Sequence, residues 1–343
     1  DNGRSRGLGD VYKRQIRWIA LIQRSLVEWG FQWGLRRCPL PSLGRIAFHY
    51  IIKPTSFPAL VSVDLGGRGF LGASRVPALM GVVNTTPDSF FSGSRHSEVQ
   101  DGIRRSIEMI EQGASIIDIG GESTRPGASM ISVEEELSRV IPVIEGVLEA
   151  RPEAFISIDT SKPEVARRAI NSGCKMVNDV TGAIDHEMVG LVASTGSWVC
   201  VMHMKGLPQT MQDDPQYENV VEEVRDFLSF RVSVLIEAGV APNKILVDPG
   251  IGFGKNIQHN LELLKTGRGL IPHEGVGILW GVSRKKMFAD LLGRMSAEER
   301  LAGTLGVAAA GYFSKIDVLR VHDVEAHSDL LRSLHSVHYG GMS

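Results

Sequence analysis

From residue 78 onward the chain alternates short apolar runs with longer stretches whose apolar residues recur every third or fourth position. The apolar runs cover residues 78–83, 115–119, 155–158, 176–177, 198–202, 245–247, 276–281 and 318–319. Runs this short and this continuous predict strands buried on both faces. The stretches between them predict amphipathic helices. Ile103, Ile107 and Ile110 share one face of 98–112, and Leu137, Val140, Ile141 and Ile144 share one face of 133–149 behind the acidic opening Glu134-Glu135-Glu136. Pro163 enters a third helix marked by Val165, Ala169 and Ile170, and Gly239 stops the longest, over 218–238. Seven such segments lie between eight strands and an eighth follows the last, the arithmetic of an α/β fold closed as a (β/α)8 TIM barrel. An open doubly wound sheet is the weaker alternative, because no GxGxxG follows the first strand.

Each apolar run ends in polar or charged residues. The clearest case is Ile245-Leu-Val-Asp248, followed by Pro249 and three glycines before Lys255. A carboxylate at a strand's C-terminal end, beside backbone able to approach a ligand, is where a parallel α/β protein places binding groups. In a barrel all these ends share one face. That face would gather Asn84, Asp159, Asn178, Asp248 and Lys285, with Thr124, Arg125, Ser283, Arg284, Arg320 and His322 around them. Carboxylates and amides suit a heterocycle with amide-like edges. Arginines, a histidine and hydroxyls suit a phosphate or diphosphate.

Composition narrows the partners. With 22% charged residues and a net charge of −2, the chain gives no reason to expect nucleic acid. No window approaches eighteen uninterrupted apolar residues, so no membrane span or membrane partner is expected. Cys38, Cys174 and Cys200 are far apart and read as buried thiols in a reducing, cytoplasmic setting. None of the ten histidines has HExxH spacing.

Residues 1–53 stand apart, with ten Lys/Arg against three Asp/Glu, and the first methionine of the chain is Met80. The segment reads as an extension, either translated upstream or vector-derived sequence or an organelle-targeting peptide; the missing amphipathic period favours the former. Residues 54–75 form a lead-in, where Val61, Val63 and Leu65 alternate before a glycine turn and Phe70-Leu71, predicting a short β-hairpin. The barrel is expected over 76–338.

Eight stretches, in order, carry a family resemblance: Asn84-Thr-Thr-Pro-Asp-Ser-Phe90, Asp118-Ile-Gly-Gly-Glu-Ser-Thr-Arg-Pro-Gly127, Asp159-Thr-Ser-Lys-Pro163, Asn178-Asp-Val-Thr-Gly182, Met202-His-Met204, Asp248-Pro-Gly-Ile-Gly-Phe-Gly-Lys255, Ser283-Arg-Lys285 and Arg320-Val-His-Asp-Val324. The chain resembles the dihydropteroate synthase family of the pterin-binding TIM-barrel superfamily. The resemblance implies a transferase of folate biosynthesis that joins 6-hydroxymethyl-7,8-dihydropterin diphosphate to p-aminobenzoate, is the target of sulfonamides, uses Mg2+, and works as a cytoplasmic homodimer. It also implies roles. Asp159, Asn178, Met202, Asp248 and Lys285 would hold the pterin; Asn84, Thr124, Arg125, Arg320 and His322 the diphosphate, with Asn84 also at the metal. Thr124, Pro126, Phe253, Ser283 and Arg284 would border p-aminobenzoate. Asp159, Lys285, Arg125 and Asp88 would carry catalysis.

One departure matters. Where the family pattern places a loop aspartate, this chain reads Phe91-Ser92-Gly93-Ser94, so Ser92 supplies no charge there and a changed role is expected for Asp88 or Arg95. Two other functions share part of the pattern. A methylpterin-dependent corrinoid methyltransferase would use Asp159, Asn178 and Asp248 but has no need of Arg125, Lys285 and Arg320/His322. A non-catalytic pterin-binding homologue would be expected to lose part of the anion set. A chain shortened to begin near Ile52 is expected to retain its melting temperature and turnover. A fall in either would show that the extension is structural.

Overall fold

The computed structural model describes residues 76–85, 95–123, 130–206, 211–212 and 214–339, all within the unit Pro58–Ser343. The extension 1–53 and the hairpin expected over 54–75 lie outside the described residues. Eight strands, β1 (Ala78–Asn84), β2 (Ile116–Gly120), β3 (Ile156–Asp159), β4 (Met176–Asp179), β5 (Trp198–Met202), β6 (Ile245–Asp248), β7 (Gly277–Trp280) and β8 (Val318–Val321), form a closed parallel barrel in chain order. The barrel closes through β1 and β8, where Met80 lies opposite Arg320.

Successive strand side chains point to opposite faces, which divides the core in two. Leu79, Ile117, Ile156, Val177, Val199, Ile245 and Ile278 belong to the large core cluster between strands and helices. Ala78, Met80, Ile116, Phe155, Met176, Trp198, Cys200, Leu246, Leu279 and Val318 form a second cluster that fills the barrel. Following these inward positions toward the C-terminal ends, the residues turn polar: Asp118 two places after Ile116, Asn178 after Met176, Asp248 after Leu246 and Arg320 after Val318. An apolar plug thus lies beneath a charged mouth.

Nine α-helices accompany the strands among the described residues: α1 (Arg95–Glu111), α2 (Val133–Ala150), α3 (Pro163–Asn171), α4 (His186–Thr195), α5 (Val220–Glu237), α6 (Ile257–Thr266), α7 (Met287–Leu292), α8 (Leu301–Phe313) and α9 (Val324–Tyr339). Local chemistry sets their ends. Ser132 caps α2 by accepting from the Glu135 amide at 3.1 Å, Asn219 caps α5, and Asn256 forms a capping box with His259 on α6. The single helix expected between β7 and β8 is two. Gly293 takes a left-handed conformation (φ 68°) after Leu292, which ends α7 and lets the chain restart as α8. No helix among the described residues is long and apolar enough to cross a membrane.

At the end opposite the charged mouth, a buried ion pair fastens the last two strands. Arg268 Nη1 donates to Asp317 Oδ2 at 2.6 Å and to the Lys315 carbonyl at 3.0 Å, and the same Oδ2 accepts from the Ile278 amide at 2.8 Å. Removing one partner leaves the other charge buried and alone. Asp317→Ala is therefore expected to lower the unfolding free energy by about 3–5 kcal/mol in a urea titration, and a change below about 1 kcal/mol would contradict this account.

Candidate active site

The mouth is built around Arg320 near the end of β8. Its Nε donates to Asp118 Oδ2 at 2.6 Å and its Nη2 to Asp159 Oδ2 at 2.5 Å. Asp118 is fully buried and its Oδ2 also accepts from Asn178 Nδ2 at 2.9 Å. Burial pushes the Asp159 carboxyl up from the usual range; the Arg320 charge opposes this, while Asp118 adds to it. Burial likewise disfavours charge on Arg320, but Asp118 and Asp159 more than offset it and hold the guanidinium firmly protonated.

Asp248, the last residue of β6, turns Oδ1 back to the Gly250 amide at 2.7 Å. Its neighbour across the sheet is Met202, the last residue of β5 and itself buried. Burial raises the Asp248 carboxyl, opposed first by Lys285. Lys285 is half-buried, and burial lowers its ammonium to about 8, with Asp248 opposing and Arg320 reinforcing the shift. Lys285 Nζ donates to the Ile251 carbonyl and stands 4.3 Å from the centre of the Phe253 ring.

The loop after β6 has a backbone held from outside. The Ile251 carbonyl accepts from Lys285, Gly252 from Gln212 Nε2, Phe253 from Lys255 Nζ at 2.9 Å, and Gly254 from Tyr217 Oη at 2.8 Å. Lys255 is buried and also donates to His203 Nδ1 at 2.9 Å and to the His203 carbonyl at 3.3 Å. Burial lowers the Lys255 ammonium to about 7, with Asp248 opposing the shift. Burial and the Lys255 charge lower His203 to about 3. Gly250 and Gly254 have φ of 68° and 61°, and a Cβ on either would collide with the carbonyl of His203 or Lys205. The glycines noted in the sequence are what this close packing requires.

Of the residues expected at the site, Asp159, Asn178, Met202, Asp248, Lys285 and Arg320 come together at the mouth. Asn84 ends β1 beside Gly120, half-buried. His322 follows β8; its Nδ1 lies 3.0 Å from Ser283 Oγ, which also accepts from its backbone amide at 3.1 Å. Arg284 takes a left-handed backbone (φ 57°), and its guanidinium is committed to both oxygens of Asp323, with Nε donating at 3.0 Å. Asp88, Thr124, Arg125 and Pro126 lie outside the described residues, as does Ser92. On one flank of residues 124–129, Glu122 accepts from the Ile131 amide at 2.9 Å and from Lys162 Nζ at 2.9 Å, and Lys162 also reaches buried Glu136 at 2.6 Å.

Two features were missed in the sequence. Asp118 has no role in the family motif that it opens, although a charged residue within an otherwise apolar strand, Ile-Ile-Asp-Ile-Gly, is itself a signal. Lys255 was only the end of a glycine-rich stretch; nothing local marks a lysine whose partners come from the preceding strand's loop.

Among the described residues no cluster of three or more His, Cys, Asp or Glu side chains could cage a metal ion. Asn84 offers an amide oxygen, which suits a hard cation such as Mg2+ that takes few protein ligands and completes its shell with substrate phosphate.

Comparison with known proteins agrees with this geometry. The family model described as pterin binding enzyme matches residues 80–322. The dihydropteroate synthase of Escherichia coli strain K12 is 43% identical over 256 residues, covering 75% of this chain and 90% of that enzyme. The solved structure of Xanthomonas albilineans dihydropteroate synthase with 4-aminobenzoic acid superposes with a TM-score of 0.75 at 39% identity, covering 83% of this chain and 100% of that one. The structure of the Xanthomonas albilineans enzyme with 7,8-dihydropteroate gives a TM-score of 0.71 at 36% identity, with the same coverages.

Lys285 generates a prediction. Its folded value of about 8 lies below the unfolded one, so protonated lysine costs more in the folded chain than in the unfolded chain. That cost is full below pH 8 and fades as pH rises toward the ordinary lysine value. Affinity for an anionic ligand moves the other way, falling above about pH 8 as the ammonium is lost. Selective observation of the Lys285 side-chain resonance should give a midpoint near 8; a midpoint at the ordinary lysine value would show a solvated ammonium.

Proposed function

The chain belongs to the pterin binding enzyme family, among its dihydropteroate synthases, and from that premise we propose how its residues perform the reaction. It condenses 6-hydroxymethyl-7,8-dihydropterin diphosphate with p-aminobenzoate, giving 7,8-dihydropteroate and pyrophosphate. The observation that carries this reading is the convergence of Asp159, Asn178, Asp248, Lys285 and Arg320 on one mouth. The relatives solved with 4-aminobenzoic acid and with 7,8-dihydropteroate support it.

A pterin presents a 2-amino group beside a ring N–H, two donors that one carboxylate can accept together. Asp248 takes that role, and Lys285 keeps it ionised in a buried setting. Asp159 and Asn178 bind the rest of the heterocycle, with Met202 packed against it. The methylene C–O bond breaks with its electron pair leaving on the diphosphate, and the ring nitrogens spread the positive charge that remains. Fixed carboxylates stabilise that charge; Arg320, His322 and Arg125 stabilise the departing anion. The aromatic amine then forms the C–N bond with its lone pair and releases a proton to water, so no strong base is needed. Thr124, Pro126, Phe253, Ser283 and Arg284 border the amine's site, with the Arg284 guanidinium acting through its pairing to Asp323. Asp88 supplies the carboxylate of the first loop, where Ser92 carries none.

Asn84 would hold Mg2+ together with the substrate diphosphate; the ion supplies neutralisation of the leaving group's charge. A cytoplasmic homodimer completes the proposal. Its support is the outer face of α8, where Ala302, Gly306, Ala310 and Phe313 are exposed at one-turn spacing with no charge among them, Phe313 at 60%.

The direct test is incubation with both substrates and Mg2+, with dihydropteroate and pyrophosphate as the expected products. Asp248→Asn keeps the size but offers one acceptor and turns amide hydrogens toward a donor. The loss should be about 3–5 kcal/mol, or roughly a hundred- to several-thousand-fold in affinity for the pterin diphosphate. Calorimetry on variant protein with an unchanged melting curve measures it; affinity within about threefold of wild type would remove Asp248 from the site.

A further inference from the structure

We propose that Asp118 is a positioning residue that sets the hydrogen-bonding polarity of the pterin pocket from beneath, by orienting the Asn178 amide and the Arg320 guanidinium at once. The proposal rests on the reading of the pocket as a pterin site, and it concerns a residue that touches no substrate in that reading.

Asp118 lies on β2, fully buried, at an inward-facing position directly above the apolar plug. From there a single oxygen reaches two strands in opposite directions round the barrel. Oδ2 accepts from Asn178 Nδ2 on β4 at 2.9 Å and from Arg320 Nε on β8 at 2.6 Å. Arg320 carries the linkage on to Asp159 on β3 at 2.5 Å. One buried carboxylate therefore determines the placement of three side chains expected to meet the ligand.

The polarity follows from what a carboxylate can do. Asp118 Oδ2 accepts from the Arg320 guanidinium and can only accept again, so the Asn178 side chain must present its NH2 to it. That leaves the Asn178 carbonyl oxygen for the ligand and makes Asn178 a reader of donors. An amide at position 118 would remove this constraint, because either end of Asn178 would find a partner there and the amide could turn over. Arg320 is constrained similarly. With Nε bound to Asp118 and Nη2 to Asp159, its planar fork is fixed in two places, which a neutral partner would hold far more weakly. The remaining oxygen, Oδ1, is buried and has no hydrogen-bond partner among the described residues. A residue present only for stability would not usually leave such an atom unsatisfied.

Asp118→Asn tests this with no change of volume. The variant should bind 6-hydroxymethyl-7,8-dihydropterin diphosphate about 30-fold or more weakly by calorimetry, while the KM for p-aminobenzoate at saturating pterin stays within about threefold. That split separates positioning of the pterin groups from general loosening, which would raise both. Unchanged pterin affinity, or equal losses for the two substrates, would overturn the proposal. Should the variant not fold, the wild-type protein still decides. The Asn178 side-chain NH2 and the Arg320 Nε–H should be protected from solvent exchange in NMR spectra of the ligand-free enzyme, and fast exchange of both would overturn the proposal. A wild-type protein that forms no dihydropteroate would instead remove the functional reading, and leave these two hydrogen bonds to be judged on their exchange.

Discussion

Charge placed inside a barrel has to be compensated there, because removing an ion from water costs several kcal/mol that only close, well-directed partners return. The Arg320 guanidinium meets that demand for Asp118 and Asp159 together, and Lys285 does so for Asp248. The rest of the mouth follows from this. The strands alternate so that their inward residues stay apolar through the lower barrel. Polar residues begin only at the level where arginine and lysine can reach them. Burial strengthens the interactions among these charges, and each carboxylate lies beside a cation that opposes the rise burial imposes on it.

The second constraint is backbone. Four successive carbonyls, from Ile251 to Gly254, each accept from a side chain: Lys285, Gln212 and Tyr217 from elsewhere in the chain, and Lys255 from the end of the loop itself. Two of those donors are lysines, Lys285 toward the ligand side and Lys255 behind it. The loop is short of side chains because its backbone is the gripped surface, and its glycines permit contact with the neighbouring loop that any larger residue would block. Such a loop can hold Phe253 and Asp248 in fixed relation without a core of its own.

Much of this was legible in the chain. Alternation of buried runs and amphipathic segments predicts the barrel, and polar residues at strand ends predict its functional face, since both depend on local period. Asp159 and Asp248 close their strands as their place at the ends of the apolar runs predicts, and Asn178 lies one residue before the end of β4. The division of the β7–β8 connection is marked only by Gly293 and the mostly polar stretch 294–300 behind it, a break that a count of one helix per strand passes over. The Arg284–Asp323 pair and the Asp118 linkage escaped for another reason. Each joins residues far apart in sequence, and a single sequence carries no mark of which partner a buried charge will find.

The reach of Arg320 has a consequence for how the molecule comes into being. Asp118 and the arginine that compensates it are 202 residues apart, and β8 is the last strand made. A nascent chain thus carries Asp118 and Asp159 through most of translation without their counter-ion. Burying them before β8 arrives would leave both carboxylates without the guanidinium, which is unfavourable. Closure of the sheet between β1 and β8 and the pairing of these carboxylates therefore depend on the same long-range approach. A ribosome that stops short of Arg320 releases a product lacking more than one strand: its carboxylates have no reason to turn inward at all.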